Sequence, residues 1–104
     1  MDEFADLGRF ADPSVLILSS LAAGPKHGYA MTKDIASFAG VSLQPATLYG
    51  AVGRLEARGL IEALPLEERR RPYRLTGRGA EALTARLHSL ESVATTGLRR
   101  LATR

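Results

Sequence analysis

The chain is 104 residues long, 45% hydrophobic and 24% charged, enough for one domain with a single modest core and too apolar for a disordered segment. It has no cysteine, which excludes disulfides, thiol nucleophiles and cysteine–zinc sites. Asp2, Glu3, Asp6 and Asp12 against Arg9 leave residues 1–12 at −3, so residues 13–104, thirteen basic against seven acidic side chains, hold +6 within a net charge of +3 and favour an anionic partner.

Residues 1–11 mix charge with Phe4, Leu7 and Phe10 and read as an N-terminal arm or a short helix. No basic region followed by an apolar core is present there, so no secretory signal is expected. The apolar run "VLIL" at 15–18 is broken by Ser19 and Ser20 and cannot span a bilayer, so a cytoplasmic protein without a membrane partner is expected. Asp12 is placed to N-cap a first helix with Pro13 at its first position. That helix is apolar nearly all round through Val15, Leu16, Ile17, Leu18 and Leu21, the pattern of a central buried helix, and Gly24-Pro25 stops it.

"KHGYAMTKDIASFAG" reads as a second helix. Met31, Ile35 and Phe38, at i, i+4 and i+7, face the core, Lys33 and Asp34 turn away, and Gly40 ends it. His27 caps or packs at its start. Pro45 opens a third helix, "PATLYGAVGRLEARG", in which Leu48, Val52 and Leu55 form the buried stripe and Gly59 closes the element. "LIEAL" (60–64) and "PYRL" (72–75) are a strand and a returning strand, with the arginine-rich segment as the hairpin tip. Thr76 caps a last helix running to Ser92 or beyond. Its Leu83, Leu87, Leu90, Ala94, Gly97 or Leu98, and Leu101 make a heptad-like seam.

Three helices, a hairpin and a long helix give the order of a mainly α fold. The expected architecture is a winged helix-turn-helix with a two-stranded β wing and a long C-terminal dimerisation helix. The expected organisation is an arm at 1–11, the DNA-binding domain at 12–76 and the dimerisation helix at 77–104. In such a fold the third helix enters the major groove of double-stranded DNA and the wing lies along the backbone or minor groove.

At 100° per residue, the face of the third helix opposite its buried stripe presents Ala46, Gly50, Gly53 and Ala57, flanked by Thr47, Tyr49 and Arg54. Two glycines in an exposed helix interior cost roughly 1 kcal/mol each relative to alanine. A bare face lets the backbone approach a groove floor, leaving Gln44, Thr47 and Tyr49 to read bases; the alternative is packing against a nearby surface of small residues. At the hairpin tip Arg69, Arg70 and Arg71, with Arg74 on the returning strand, suit phosphate contacts, while Glu67 and Glu68 beside them leave open a merely solvated tip. Pro72 and Tyr73 fix the returning strand to the core. Tyr29, Lys33 and Ala46 complete the expected DNA-facing set. Leu83, Leu87, Leu90, Ala94, Leu98 and Leu101 form the expected dimer seam.

"HGYAMTKDI" at 27–35, "QPATLYGAVGRLEARGLIE" at 44–62 and "RRPYRLTGRG" at 70–79 resemble the PadR-like family of bacterial transcriptional regulators, in the shorter branch with a single C-terminal helix. The resemblance covers residues 14–80. It implies a winged-helix homodimer that represses genes from a near-palindromic operator, often released by a small-molecule effector. Ala46 and Gly50 stand where the family commonly has glycine and proline. The wing tip lacks the family's glycines, and Pro72 replaces a frequent second tyrosine.

No cofactor is expected, because the only histidines, His27 and His88, are too far apart in sequence for a metal pair. No nucleophile–base set, phosphate-cradling glycine loop or carboxylate pair is present, so an enzyme is not expected. The second reading is a winged-helix module that binds protein through the small face of the third helix. The basic body and the arginine tip weigh against it.

Overall fold

In the computed structural model, which describes residues 12–104, the carboxylate of Asp12 accepts the Ser14 N–H at 2.8 Å and Pro13 takes the first position of helix α1 (Pro13–Leu21). The helix ends one residue short of Ala22, before the Gly24-Pro25 pair expected to stop it. Leu16, Ile17, Leu18 and Leu21 are buried, and so is Ser20. A buried hydroxyl needs a partner, and the Ser20 Oγ donates to Asp34 Oδ2 at 2.7 Å. Lys26 Nζ donates to the Ser20 carbonyl at 2.6 Å and stands 4.0 Å from the same carboxylate. Asp34, expected to turn away from the core, is therefore half-buried and ties the second helix to α1.

Strand β1 (Lys26–His27) runs into helix α2 (Gly28–Ala39), followed by α3 (Pro45–Ala57), β2 (Ile61–Ala63), β3 (Pro72–Leu75) and α4 (Gly77–Thr103). The sheet has three strands in the order β1–β3–β2, all antiparallel, in place of the two expected. The added strand is two residues long, too short to leave a period in the sequence. Tyr73 pairs with Lys26 on one side and Ala63 on the other. This places β1 and the start of α2 beside the wing.

Met31 and Ile35 are fully buried with Leu48, Ala51, Val52, Leu55, Ile61 and Leu83 in the single core. Phe38, expected to join them, is 50% exposed. Its i+7 position drifts about 20° from the face of Met31 and falls in the last turn before Gly40, which leaves the helix in the left-handed conformation at φ +68°. Pro72 is buried and Tyr73 packs on the core, as expected of the strand's anchor. Residues 1–11, expected to form the arm, lie outside the described residues.

The wing tip closes on a two-residue turn, with Glu67 and Arg70 exchanging backbone hydrogen bonds at 2.8 Å. Glu68 (φ +48°) and Arg69 (φ +72°) hold left-handed conformations that asparagine and glycine would adopt with less strain. Replacing them by Asn and Gly (Glu68→Asn, Arg69→Gly) should raise the unfolding free energy by about 1 kcal/mol. A urea melt checks this, and a lower midpoint would mean that the two side chains hold the tip in another way.

Thr76 begins α4 as expected. Its Oγ1 accepts the Gly79 N–H at 3.0 Å and donates to the Gly59 carbonyl at 2.6 Å, while its own N–H reaches the Leu60 carbonyl at 3.1 Å. The helix is 27 residues long, and only Gly79 and Leu83 of it are buried.

Candidate nucleic-acid interface

Helix α3 is fixed by Leu48, Ala51, Val52 and Leu55, which are buried on one side. Its other side presents Ala46, Gly50, Gly53 and Ala57, all exposed. A Cβ built on Gly53 would meet nothing within 4 Å, and one on Gly50 only the Arg54 guanidinium at 3.5 Å. Within the described residues the bare face therefore packs against no other surface and stands open. Gln44, at the N-cap position, makes no capping bond and is exposed. Thr47 is half-buried, while Tyr49 and Arg54 are exposed.

Tyr49 lies against the start of α2. A Cβ on Gly28 would overlap its hydroxyl and lie 2.7 Å from its Cζ, so the missing side chain at 28 is what lets the phenol seat there. Next along α2, the Tyr29 ring carries two cations, Lys33 Nζ at 5.5 Å and the Arg70 guanidinium at 5.9 Å from its centroid. Such contacts contribute about 0.5–1 kcal/mol at exposed sites. Arg70 also places its Nη1 3.2 Å from His27 Nε2. His27 caps α2 as expected, its Nδ1 lying 3.4 Å from the Ala30 N–H.

The four arginines of the wing divide. Arg71 donates to the Leu64 carbonyl at 2.7 Å and so braces the hairpin. Arg74 pairs with Glu62 directly across β2 and β3. The Arg69 side chain makes no hydrogen bond among the described residues, and Arg70 leans on His27 and Tyr29. Arg69, Arg70 and Arg71, but not Arg74, border with His27, Gly28 and the three tyrosines an open hollow of about 310 Å³. Burial, with Glu56 close by, raises the Tyr73 phenol above its ordinary value of 10.0, so it stays neutral and able to donate at physiological pH.

Of the residues read from the sequence as DNA-facing, the structure gathers Tyr29, Tyr49, Arg69, Arg70 and Arg71 around this hollow, and Lys33 joins through Tyr29. Ala46, Thr47 and Arg54 of α3 and its N-cap residue Gln44 lie outside it, and Arg74 is engaged by Glu62. Sequence reading missed the contact of His27 with Arg70 and the pairing of Glu62 with Arg74, which depend on partners distant in sequence. It also missed Val93, an exposed apolar residue of α4 beside the expected seam. In that seam Leu83 is buried in its own domain, whereas Leu87, Leu90, Ala94, Leu98 and Leu101 are exposed. Among the described residues no group of three or more histidine or acidic side chains could hold a metal. No helix there is long and apolar enough to cross a membrane.

The profile of the transcriptional regulator PadR-like family matches residues 17–85. The chain is 44% identical over 82 residues to an uncharacterized 37.1 kDa protein in transposon TN4556 of Streptomyces fradiae, covering 79% of this chain and 24% of that protein. It thus spans about a quarter of that relative's length. Among solved structures, a transcriptional regulator from Clostridium thermocellum superposes with a TM-score of 0.73 at 31% identity, over 80% of this chain and 86% of the other. A PadR family transcription regulator from Clostridium difficile shares the fold with a TM-score of 0.77 at 24% identity, over 86% and 97% of the two chains.

Proposed function

Because the chain belongs to the PadR-like family of transcriptional regulators, which are not enzymes, we propose that it binds double-stranded DNA as a homodimer and represses transcription from a near-palindromic operator. The observation that carries this reading is that Tyr49 of α3 and three arginines of the wing tip, Arg69, Arg70 and Arg71, all exposed, border one hollow beside the open face of α3. An open helix face of small residues beside a basic hairpin suits a groove floor flanked by phosphates. Gln44, Thr47 and Tyr49 read base edges at the start of α3, while Ala46, Gly50 and Gly53 let the backbone come close. Tyr29, Lys33, Arg54, Arg69 and Arg70 hold phosphates, and Arg71 and Arg74 shape the wing. Residues 77–104 pair two copies through Leu87, Leu90, Ala94, Leu98 and Leu101, which sets the spacing of the two α3 helices.

The test is a salt series on duplex DNA. Removing the two wing-tip arginines whose side chains pair with no carboxylate or carbonyl among the described residues (Arg69→Ala with Arg70→Ala) should lower the magnitude of the salt slope by about 0.9 for each phosphate that is no longer neutralised, similarly on all sequences. An unchanged slope would return the tip to ordinary solvated charge. Thr47→Ala separates reading from holding: it should weaken binding to a selected operator by more than binding to bulk DNA. Equal losses on both would place base recognition elsewhere. Retention on bulk DNA that salt does not weaken would favour the protein-binding reading.

A further inference from the structure

His27 stands at the junction of β1 and α2 with a donor facing each ring nitrogen. The Ala30 N–H lies 3.4 Å from Nδ1 and the Arg70 Nη1 lies 3.2 Å from Nε2. Both neighbours can only donate, and a neutral imidazole has a single acceptor nitrogen. The two donors therefore compete for one lone pair, and the cationic guanidinium is the stronger donor. A protonated ring has no lone pair at all. It would accept neither hydrogen bond and would set a second positive charge against the guanidinium.

The charged surroundings of the ring come mostly from the wing. Glu67 and Glu68 share a hollow with His27, Arg70 and Pro72. Arg69, Arg70 and Arg71 line the adjoining hollow. Lys26, the neighbour in β1, spends its ammonium on the Ser20 carbonyl. The groups that α2, α3 and β3 bring to the hollow are phenols, Tyr29, Tyr49 and Tyr73, and α2 adds the Lys33 ammonium 5.5 Å from the Tyr29 ring centroid. An anion that engages the arginines would draw Arg70 away from the ring.

Resting on the DNA-binding reading above, we propose that His27 is a positioning residue for the wing. While neutral it holds Arg70 back over Tyr29, and once protonated it releases Arg70 toward a phosphate, so that DNA binding takes up a proton. Histidine is the side chain whose charge ordinarily changes between pH 5 and 8, which sets the range to be tested. Its sign is fixed by the geometry: acid strengthens binding.

The experiment measures affinity for a short mixed-sequence duplex at constant ionic strength, from about pH 8 to about pH 5.5. The wild-type chain should gain about tenfold, the equivalent of one unit of linked titration. His27→Asn keeps a residue suited to capping α2 and removes the titration, so its profile should be flat relative to wild type. His88, the other histidine, is exposed on α4 near Glu91, and His88→Asn should follow wild type. Parallel profiles for wild type and His27→Asn would overturn the proposal.

A readout without DNA keeps the two ideas apart. Nitrogen NMR of the His27 ring in the free protein at about pH 8 should show Nδ1 protonated and Nε2 bare, reversing in Arg70→Ala. Protonated Nε2 in both proteins would show that His27 does not hold Arg70. A duplex bound at no pH would overturn the DNA-binding reading and the proton linkage together, while the ring tautomer would still decide the positioning role.

Discussion

Leu87→Asp with Leu90→Asp should convert a particle of twice 11.2 kDa into a single folded chain and lower operator affinity by about a hundredfold or more, the advantage of two linked half-sites. Helix α4 is 27 residues long, about 40 Å at 1.5 Å per residue, and its own domain covers only its first turns. Leu87 and Leu90 remain 43% and 42% exposed, and Leu98 and Leu101 70% and 60%. All lie on the side of the helix that Leu83 turns into the core. Covering a leucine contributes about 1.5–3 kcal/mol, and a row of them left in water invites association. The substitutions fall on residues that are exposed in the single chain, so the winged helix should keep its helical signal and melting transition while light scattering reports half the mass. A wild-type chain that scatters as a monomer at micromolar concentration would remove this role for α4. A doubly substituted chain that still scatters as a dimer would place the interface elsewhere.

Gly79→Ala should lower stability by about 3 kcal/mol, at the upper end of overpacking costs, or at least about 12 °C in Tm for a domain of this size. The added Cβ would overlap the Leu60 carbonyl oxygen and lie 2.8 Å from Leu75 Cδ1. The Leu60 carbonyl cannot retreat cheaply, because it accepts the N–H of Thr76, the residue after β3. The comparison is Gly28→Ala, where the overlap is with the Tyr49 phenol. That exposed side-chain end can swing aside, so the loss there should stay below about 1 kcal/mol. Thermal unfolding of the two variants side by side decides it. Equal losses would mean that the Tyr49 seat is as rigid as the α3–β2 turn.

The elements with local causes were legible in the sequence. Prolines at first helical positions, the Asp12 and Thr76 caps and the apolar stripe of α3 fall where their chemistry puts them, and "PYRL" is β3 residue for residue. What escaped depends on partners distant in sequence. Two residues of β1 carry no period, and they became a strand only because β3 offered a free edge. Asp34 looked like a solvent-facing carboxylate until α1 brought Ser20 to it. Arginines at 71 and 74 read alike with those at 69 and 70, yet the β2–β3 register gives Arg74 to Glu62 and the hairpin gives Arg71 to Leu64. The absence of wing glycines was visible as a departure from the family pattern. Its consequence, left-handed backbone at Glu68 and Arg69, was not.

Selection of bound fragments from genomic DNA by the intact chain tests the proposed DNA binding most directly. The predicted result is enrichment of an inverted repeat whose half-sites lie about one helical turn apart, protected by two chains and weakened by salt. A folded chain that enriches no sequence over input, and whose weak retention does not depend on salt, would contradict it.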